Sequence, residues 1–427
     1  MRYAVLGAGA ITVCALTAQG GDVYQVNTSV SSGGIDLVGG GYATDALKGP
    51  SAASWVAVTG TVTHAADLSA AHPFSIDLPT ANAKLTLKDS GLLGTVPVRV
   101  TGPGSGTVYF DGDTLNVDET TDASLLSWKS VCLQIDNLTV SSKTGPAAWH
   151  CTNATLYVRH NTRIGYDGGT GTVAMTQNGL GRTNTSEEPG LGQRETANIF
   201  LGDSSATGLG VSSGTLQIKG GRSSAWNVYL GSANVADPGD GSAGVPNLIQ
   251  LDGGYLMTLH YYMRGSLPAK IAFNGGRLDS YGWGDFFNFS ANSSGDLILE
   301  GLNGKPIDIN FNKFAQFVTW GSGATGRLIF RGDSDVYLYG GDYNSGDTYA
   351  QQCLEGSKFK NRSDGQGIVW EQTGDLYFKP SSQTAIMRCL IQSDDFLPHG
   401  PANGGVAVTT SAMLFTVDLM GDRKSVV

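Results

Sequence analysis

The sequence is poor in charge and has no long hydrophobic run. Charged residues make up 15% of its 427 residues, against about 25% in an average soluble protein. The net charge of −10, from 27 Lys and Arg against 37 Asp and Glu, gives no basic patch of the kind that binds nucleic acid, which is therefore not an expected partner. The apolar run at residues 3–16 is shorter than the about 20 residues that a membrane-spanning helix needs, so no direct membrane span is expected.

Cysteine is scarce and never occurs with zinc-finger spacing. The five cysteines are Cys14, Cys132, Cys151, Cys353 and Cys389, and no two form a CxxC pair, so zinc is not expected. The last four permit two disulfides in an oxidising compartment or four buried thiols. Because 19 residues separate Cys132 from Cys151, about one coil of a stacked β-structure, this pair is the candidate disulfide.

Glycine, by contrast, is abundant. The sequence contains 61 glycines, about double the usual share of ~7%. The hydrophobic fraction of 40% is high enough for a continuous core, so the glycines do not indicate disorder. Turn-rich β-structure follows from this composition.

One short phrase recurs along the chain: a small residue, then alternating apolar and polar residues, then a turn. The phrases are AKLTLKDSG at 83, GTVYFDGD at 106, ATLYVRHN at 154, GTLQIKGG at 214, GDLILEGLNG at 295, GRLIFRGD at 326 and GDLYFKPS at 374. Alternation puts Leu216 and Ile218 on one face and Gln217 and Lys219 on the other, the pattern of a half-buried strand. Each phrase therefore predicts one strand.

Paired glycines end several of these strands, at IKGG, QLDGG and AFNGG. Glycine adopts positive φ without steric cost, which suits the corner of a coil. A single coil cannot bury its apolar face, so coils must stack with parallel strands. The expected fold is all-β, a single right-handed parallel β-helix (β-solenoid). Its inward-facing residues should include Leu216, Ile218, Leu297, Leu299, Leu328 and Phe330.

The expected organisation has four parts. Residues 1–19 have the order of a secretory signal peptide, with a buried first strand as the alternative. Residues 20–79 form an N-terminal β-rich cap or degenerate coils, and residues 80–420 form the parallel β-solenoid. Residues 421–427 are interpreted as a non-native tail, because DRKSVV matches the translated read-through of a common sequencing adapter. The tail should make no packed contacts, and the natural chain should be longer.

Residues 196–284, with GTLQIKGG, NVYLG, LIQLDGGYL and IAFNGGRL, resemble the glycine-rich strand repeats of autotransporter passengers. They are most similar to large repeat proteins secreted by bacteria of the Verrucomicrobia and Lentisphaerae type. The resemblance implies a β-helix displayed outside the cell, in a fragment that lacks the C-terminal barrel or sorting signal of such proteins. It carries over no catalytic residue.

Two segments carry acidic residues in patterns that resemble chemical sites. Asp394-Asp395 with His399 echoes a pectinase-like hydrolase, but the companion Asn-Thr-Asp and Arg-Ile-Lys phrases are absent. Residues 342–347 place oxygen ligands at alternate positions, yet the twelfth position of an EF-hand loop there is Cys353 instead of Glu. We therefore expect no catalytic residue, no cofactor and no metal.

Aromatic residues cluster between 255 and 289, and Tyr261, Tyr262 and Trp283 are candidate glycan-binding residues. The adjacent tyrosines must point to opposite faces of a strand, while core packing is the alternative role for the cluster. The expected function is a non-catalytic extracellular stalk for display or adhesion at the cell surface, with surface glycans or other cell-surface proteins as partners. The alternative is a carbohydrate-active β-helix that acts as a polysaccharide lyase or glycoside hydrolase, or that only binds glycans.

Overall fold

The computed structural model describes residues 3–5, 12–18, 21–26, 35–37, 46–48, 55–59, 62–64, 74–77, 84–88, 93, 98–101, 107–121, 126–129, 132–152, 155–176, 196–280, 285–310, 317–340, 362–374, 376–380, 415–419 and 422–425. Within these ranges the regular structure is entirely β. In the same ranges no helix is long and apolar enough to cross a membrane.

The strands in the first half of the chain are β1 Tyr3–Val5, β2 Thr12–Ala18, β3 Gly21–Val26, β4 Ile35–Leu37, β5 Ala46–Lys48, β6 Trp55–Thr59, β7 Val62–His64, β8 Phe74–Asp77, β9 Lys84–Lys88, β10 Val98–Thr101, β11 Thr107–Val117, β12 Leu126–Lys129, β13 Cys132–Val140, β14 Ala147–Thr152, β15 Thr155–Tyr166, β16 Thr170–Thr176 and β17 Thr196–Asp203.

The remaining strands are β18 Ser213–Ile218, β19 Arg222–Leu230, β20 Asn247–Leu251, β21 Tyr255–Met263, β22 Ala269–Phe273, β23 Arg277–Ser280, β24 Phe287–Phe289, β25 Leu297–Gly301, β26 Ile307–Asn310, β27 Val318–Trp320, β28 Leu328–Gly332, β29 Val336–Gly340, β30 Ile368–Gln372, β31 Leu376–Pro380, β32 Phe415–Leu419 and β33 Asp422–Ser425.

Two large parallel sheets organise most of the chain. The first, here called the long sheet, has 16 strands and runs from β6 to β33 through β9, β11 and the odd-numbered strands to β23, with β24, β26, β27, β29, β31 and β32. The second sheet has eight strands, in the order β14, β16, β18, β20, β22, β25, β28 and β30. From β13 onward the chain passes repeatedly from one sheet to the other. Parallel strands stacked in this way are consistent with a β-helix or solenoid-like fold.

A seven-stranded sheet occupies the N-terminal part, in the order β1, β2, β3, β5, β8, β10 and β12, and β4 pairs with β7. The pairs β1–β2 and β2–β3 are antiparallel, whereas parallel pairing begins between β3 and β5. Parallel stacking therefore extends into the segment expected to be a cap or degenerate coils. The secretory-signal hypothesis concerns targeting and stays a prediction.

All seven recurrent phrases lie on strands, and burial alternates strictly along β18. In β25 and β28 the intervening Ile298 and Ile329 are buried as well. Leu216, Ile218, Leu297, Leu299, Leu328 and Phe330 are each 0% exposed and belong to one hydrophobic cluster. That cluster runs from Ile76 to Trp370, while Lys219 is exposed. The phrases divide between sheets, however: those at 214, 295 and 326 lie in the second sheet and the other four in the long sheet.

Glycines turn the corners after the second sheet, as predicted from the paired-glycine phrases. Gly221 and Gly254 have φ of 70° and 63°, in the left-handed region that favours glycine. They also lie on adjacent rungs: a Cβ on Gly254 would come 2.3 Å from the Gly221 carbonyl oxygen. Both backbone conformation and close approach therefore require glycine at this corner.

The long sheet divides where β21 meets the next rung. The first half of β21 pairs with β23, through Tyr255↔Arg277, and its second half pairs with β24, through Tyr261↔Phe287. The next rung repeats the division, because β26 pairs with β23 and β27 with β24. One long strand is thus continued by two short strands.

The C-terminal tail is expected to make no packed contacts, but the backbone of residues 422–425 is paired. β33 pairs antiparallel with β32, with Thr416 opposite Ser425 and Leu419 opposite Asp422. The origin of these residues is a separate question, which the pairing does not address.

Candidate functional site

The candidate site is the outward face of the long sheet, along the second halves of β15, β17, β19 and β21. Alternation fixes this face, because the intervening residues Ile199, Leu201, Val228 and Leu230 are each 0% exposed. Two parallel columns of side chains run across the rungs. The amide column comprises Asn137, Asn161, Asn198 and Asn227 and ends at His260, and the aromatic column comprises Phe200, Tyr229 and Tyr262.

Side-chain hydrogen bonds connect the amide column from rung to rung. Asn161 Nδ2 donates to Asn137 Oδ1 at 3.5 Å, Asn198 to Asn161 at 3.2 Å and Asn227 to Asn198 at 3.0 Å. His260 ends the column, with its Nδ1 lying 2.6 Å from the Asp285 carbonyl oxygen. Since a carbonyl oxygen only accepts, Nδ1 is the protonated ring nitrogen. Each inner asparagine keeps one N–H and one acceptor lone pair outside this ladder.

The aromatic column is a continuous stack. The Phe200 and Tyr229 ring centroids are 4.7 Å apart at an interplanar angle of 10°, and those of Tyr229 and Tyr262 are 5.0 Å apart at 14°. Parallel rungs about 4.8 Å apart place like rings at stacking distance. The Arg264 guanidinium also lies over the Tyr229 ring, at 5.3 Å from its centroid. The Tyr229 ring faces are therefore occupied by protein groups, and its edge and hydroxyl face outward.

Arg163 lies at the N-terminal end of the aromatic column. It is opposite Phe200 in the register, and its guanidinium lies 5.7 Å from the Phe200 centroid and 5.1 Å from that of Tyr166. Two rings therefore hold this cation on the outward face. At the other end, burial, followed by the nearby Tyr229 and Asp285, raises the pKa of Tyr262, so its hydroxyl remains a proton donor at neutral pH.

The structure separates the sequence-predicted aromatic candidates. Tyr261 and Tyr262 point to opposite faces, as expected. Tyr261 is 0% exposed and packs edge-on against Phe286 at 5.2 Å, so it cannot contact an external ligand, and including it as a glycan-binding residue was wrong. Tyr262 is half-buried on the outward face. Trp283 lies outside the described residues.

Sequence reasoning missed the amide column, although a signal was present. Asn198-Ile-Phe-Leu-Gly202 and Asn227-Val-Tyr-Leu-Gly231 share an asparagine two positions before an aromatic residue. The asparagine and the aromatic residue share a face because strand side chains alternate.

A second polar cluster lies on the outward side of β11, β13 and β15. The Tyr109 hydroxyl donates to Asp136 Oδ1 at 2.6 Å and lies 3.2 Å from Asp111 Oδ1, while Arg159 donates to the same hydroxyl oxygen at 3.0 Å. Burial, then the hydrogen bond to Asp136, strongly raises the pKa of Tyr109. The phenol therefore stays protonated at neutral pH and cannot act as a base there, and at 2% exposure it is also shielded from a large substrate.

The candidate cysteines do not stack on each other. Cys132 is in register with Thr107 and Thr155 in the long sheet, whereas Cys151 is in register with Met175 in the second sheet. The idea that 19 residues equals one rung is therefore wrong at this position. The side chains of both cysteines lie outside the described ones, and a bond between them stays a prediction.

Metal binding finds no support in the described part of the chain, where no three His, Cys, Asp or Glu residues come together in a group that could hold an ion. The segments at 342–347 and 394–399 lie outside the described residues. No family model matches the chain, and the comparisons with curated proteins and with solved structures found no match.

Proposed function

We propose that this chain is a single right-handed parallel β-helix with a non-catalytic role, an extracellular stalk for display or adhesion at a cell surface. The observation that carries the proposal is the continuous core cluster from Ile76 to Trp370, spanning parallel strands that stack rung on rung. Such an array is quasi-one-dimensional, because each rung contacts chiefly its neighbours. Stacking many such rungs gives an elongated molecule with a repeated surface.

The outward face of the long sheet supports an adhesive role beyond that of a spacer. The amide and aromatic columns repeat the same chemical groups at each rung, so a long ligand can make the same contact several times. These groups are uncharged, and salt does not screen their contacts as it screens ion pairs. Surface glycans are the proposed partners of this face.

Two measurements test the proposal. Small-angle scattering of the full chain should give an elongated particle, and beads coated with the chain should adhere to glycan-bearing cell surfaces. A compact particle would contradict the stalk. An elongated particle on beads that adhere no better than albumin-coated beads would contradict adhesion and leave the fold standing.

A carbohydrate-active enzyme is the second candidate, and the cluster of Tyr109, Asp111, Asp136 and Arg159 favours it. Two carboxylates that approach one hydroxyl resemble the paired acids of glycoside hydrolysis. Arg159 Nη1 lies 3.6 Å from Asp111 and 3.9 Å from Asp136, however, so it compensates both carboxylates. An assay for new reducing ends on a polysaccharide panel, with Asp136→Asn as control, decides between the candidates: activity lost in that variant establishes the enzyme.

A further inference from the structure

We propose that the outward face of the long sheet binds a linear polysaccharide that carries carboxylate groups, and that Arg163 recognises one of those carboxylates. The inference rests on the proposed adhesive function and names the ligand class and the charged residue of that face.

Arg163 differs from the other arginines whose side chains are described. The other six have carboxylate partners within 4.0 Å, and they are Arg159, Arg264, Arg277, Arg327, Arg331 and Arg362. Within the described part of the chain Arg163 has no carboxylate partner, and its Nε is buried without a hydrogen bond. Its guanidinium lies against the rings of Tyr166 and Phe200.

This arrangement is suited to a carboxylate. The guanidinium is a planar fork that binds a carboxylate through two parallel hydrogen bonds. Packing against Tyr166 and Phe200 orients the fork before any ligand arrives, so less side-chain entropy is lost on binding. An oriented cation on an outward, half-buried face has an anion as its natural ligand.

The groups that follow Arg163 along the rungs favour a sugar chain as the carrier of that carboxylate. In the described part of the structure, the Tyr229 and Tyr262 hydroxyls make no hydrogen bond to protein. Asn161 and Asn198 each keep one N–H and one lone pair free of the ladder. These neutral donors and acceptors recur at each rung, about 4.8 Å apart. A row of this kind complements a polymer with hydroxyl groups at a regular spacing.

Among the described residues of the two columns, Arg163 is the cation that lacks a carboxylate partner. Arg264, the next cation along the aromatic column, is paired with Asp203 at 3.6 Å. The whole chain carries a net charge of −10, so it has no general attraction for polyanions. Binding must therefore combine the Arg163 guanidinium with the neutral asparagine and tyrosine side chains of the two columns. A polyanion without hydroxyl groups could contact only the first of these.

The test uses the full 427-residue chain and titration calorimetry with oligogalacturonate, its fully methyl-esterified form and polyglutamate. We expect oligogalacturonate to bind, and the other two to bind at least about tenfold more weakly, since each lacks one set of contacts. Arg163→Gln should weaken oligogalacturonate binding by about tenfold or more. Tyr262→Phe, which keeps the stacked ring, should weaken it about threefold.

Lys219→Gln is the matched control, because it removes one positive charge from an exposed side chain on the second sheet and should leave binding unchanged. Arg163→Lys keeps the charge but loses the fork, so an intermediate affinity supports the carboxylate contact even if Arg163→Gln folds poorly.

Equal affinity of the wild type and a folded Arg163→Gln variant would overturn the inference. Equal binding of polyglutamate would assign the face to an acidic peptide instead. If oligogalacturonate does not bind while the particle is elongated and the coated beads adhere, the ligand class is wrong and the stalk proposal stands.

Discussion

Two sets of outward columns, one on each large sheet, solve the same stacking problem differently. On the long sheet like residues lie on like residues, with asparagine hydrogen-bonded to asparagine and tyrosine stacked on tyrosine. On the second sheet, register aligns Glu300, Arg331 and Glu371, whose charges alternate in sign. Arg331 Nη2 lies 2.8 Å from Glu371. Equivalent positions on parallel rungs are about 4.8 Å apart, so identical charges would repel each other and identical amides or rings attract.

The two kinds of column differ in how much binding capacity they leave for an external ligand. In the alternating column each charge has its partner within the protein, so little binding capacity remains. In the like-on-like columns each amide and hydroxyl keeps part of its hydrogen-bonding capacity for an external ligand. Neutral columns are therefore the better candidates for a binding surface. Columns of paired charges are better suited to a surface that only contacts solvent.

The largest expected effect comes from breaking the corner that holds both faces in register. Gly254→Ala combines a positive φ of 63° with a Cβ 2.3 Å from the Gly221 carbonyl. We expect a loss of about 3 kcal/mol in unfolding free energy, measured by urea denaturation. Gly241→Ala is the control: its φ is 72° but nothing lies within 4 Å, and about 1 kcal/mol is expected. Equal losses would show that close rung approach does not matter.

A charge in the amide column should have the next largest effect. Asn198→Asp removes the donor to Asn161 and puts a carboxylate between neutral amides, at a cost of about 1–2 kcal/mol at pH 7. The neutral amides around this position disfavour a charged carboxylate. Its protonated form is then compatible with the fold, so the deficit should shrink as the pH falls toward 4.

The matched control for that substitution is Asn303→Asp, at an exposed turn outside both columns. It should cost under about 0.5 kcal/mol. A deficit in Asn198→Asp that is the same at pH 4 and pH 7 would mean that volume or geometry, and not charge, is responsible.

Double-mutant cycles sharpen the comparison of the two faces. Alanine substitutions at Tyr229 and Tyr262 should give a coupling of about 1 kcal/mol that is the same at low and high salt. The Arg331–Glu371 pair, with side chains 42% and 24% exposed, should give about 0.5 kcal/mol and less in 1 M salt. A salt-dependent tyrosine coupling would contradict the distinction drawn between the faces.

The smallest expected effect is the titration of Asp252, at the corner after β20. Burial opposes ionisation, but donors from Gln250, Asn274 and Gln217 outweigh it and lower the pKa of Asp252. A lowered folded pKa means that its stabilisation is present above the unfolded value, about 3.9, and is lost as the pH falls through the folded pKa. Asp252→Asn should therefore flatten the stability profile below about pH 4, and an unchanged profile would contradict this role.

The sequence predicts well which strand residues point inward, but it does not predict how the rungs align. Period-2 alternation identifies which face of β18 and β25 points inward, because it needs only local spacing. It does not identify which rung a strand stacks on: side chains bonded across neighbouring rungs are 22 residues apart in one case and 40 in another. That uncertainty led to the expectation that Cys151 stacks on Cys132, whereas the two lie in different sheets. The two columns were missed for the same reason, since they exist only after rungs of unequal length are aligned.

The division of β21 between β23 and β24 has a consequence for how such a chain can change. Strand hydrogen bonds from one rung can be shared by two shorter segments, and each segment is held in place by its own pairing with β21. The entropic cost of lengthening a surface connection grows only with the logarithm of its length, about 0.6 kcal/mol per doubling. The junction is therefore a natural position for inserting a module, or for grafting a foreign peptide onto the long sheet without changing the hydrophobic core.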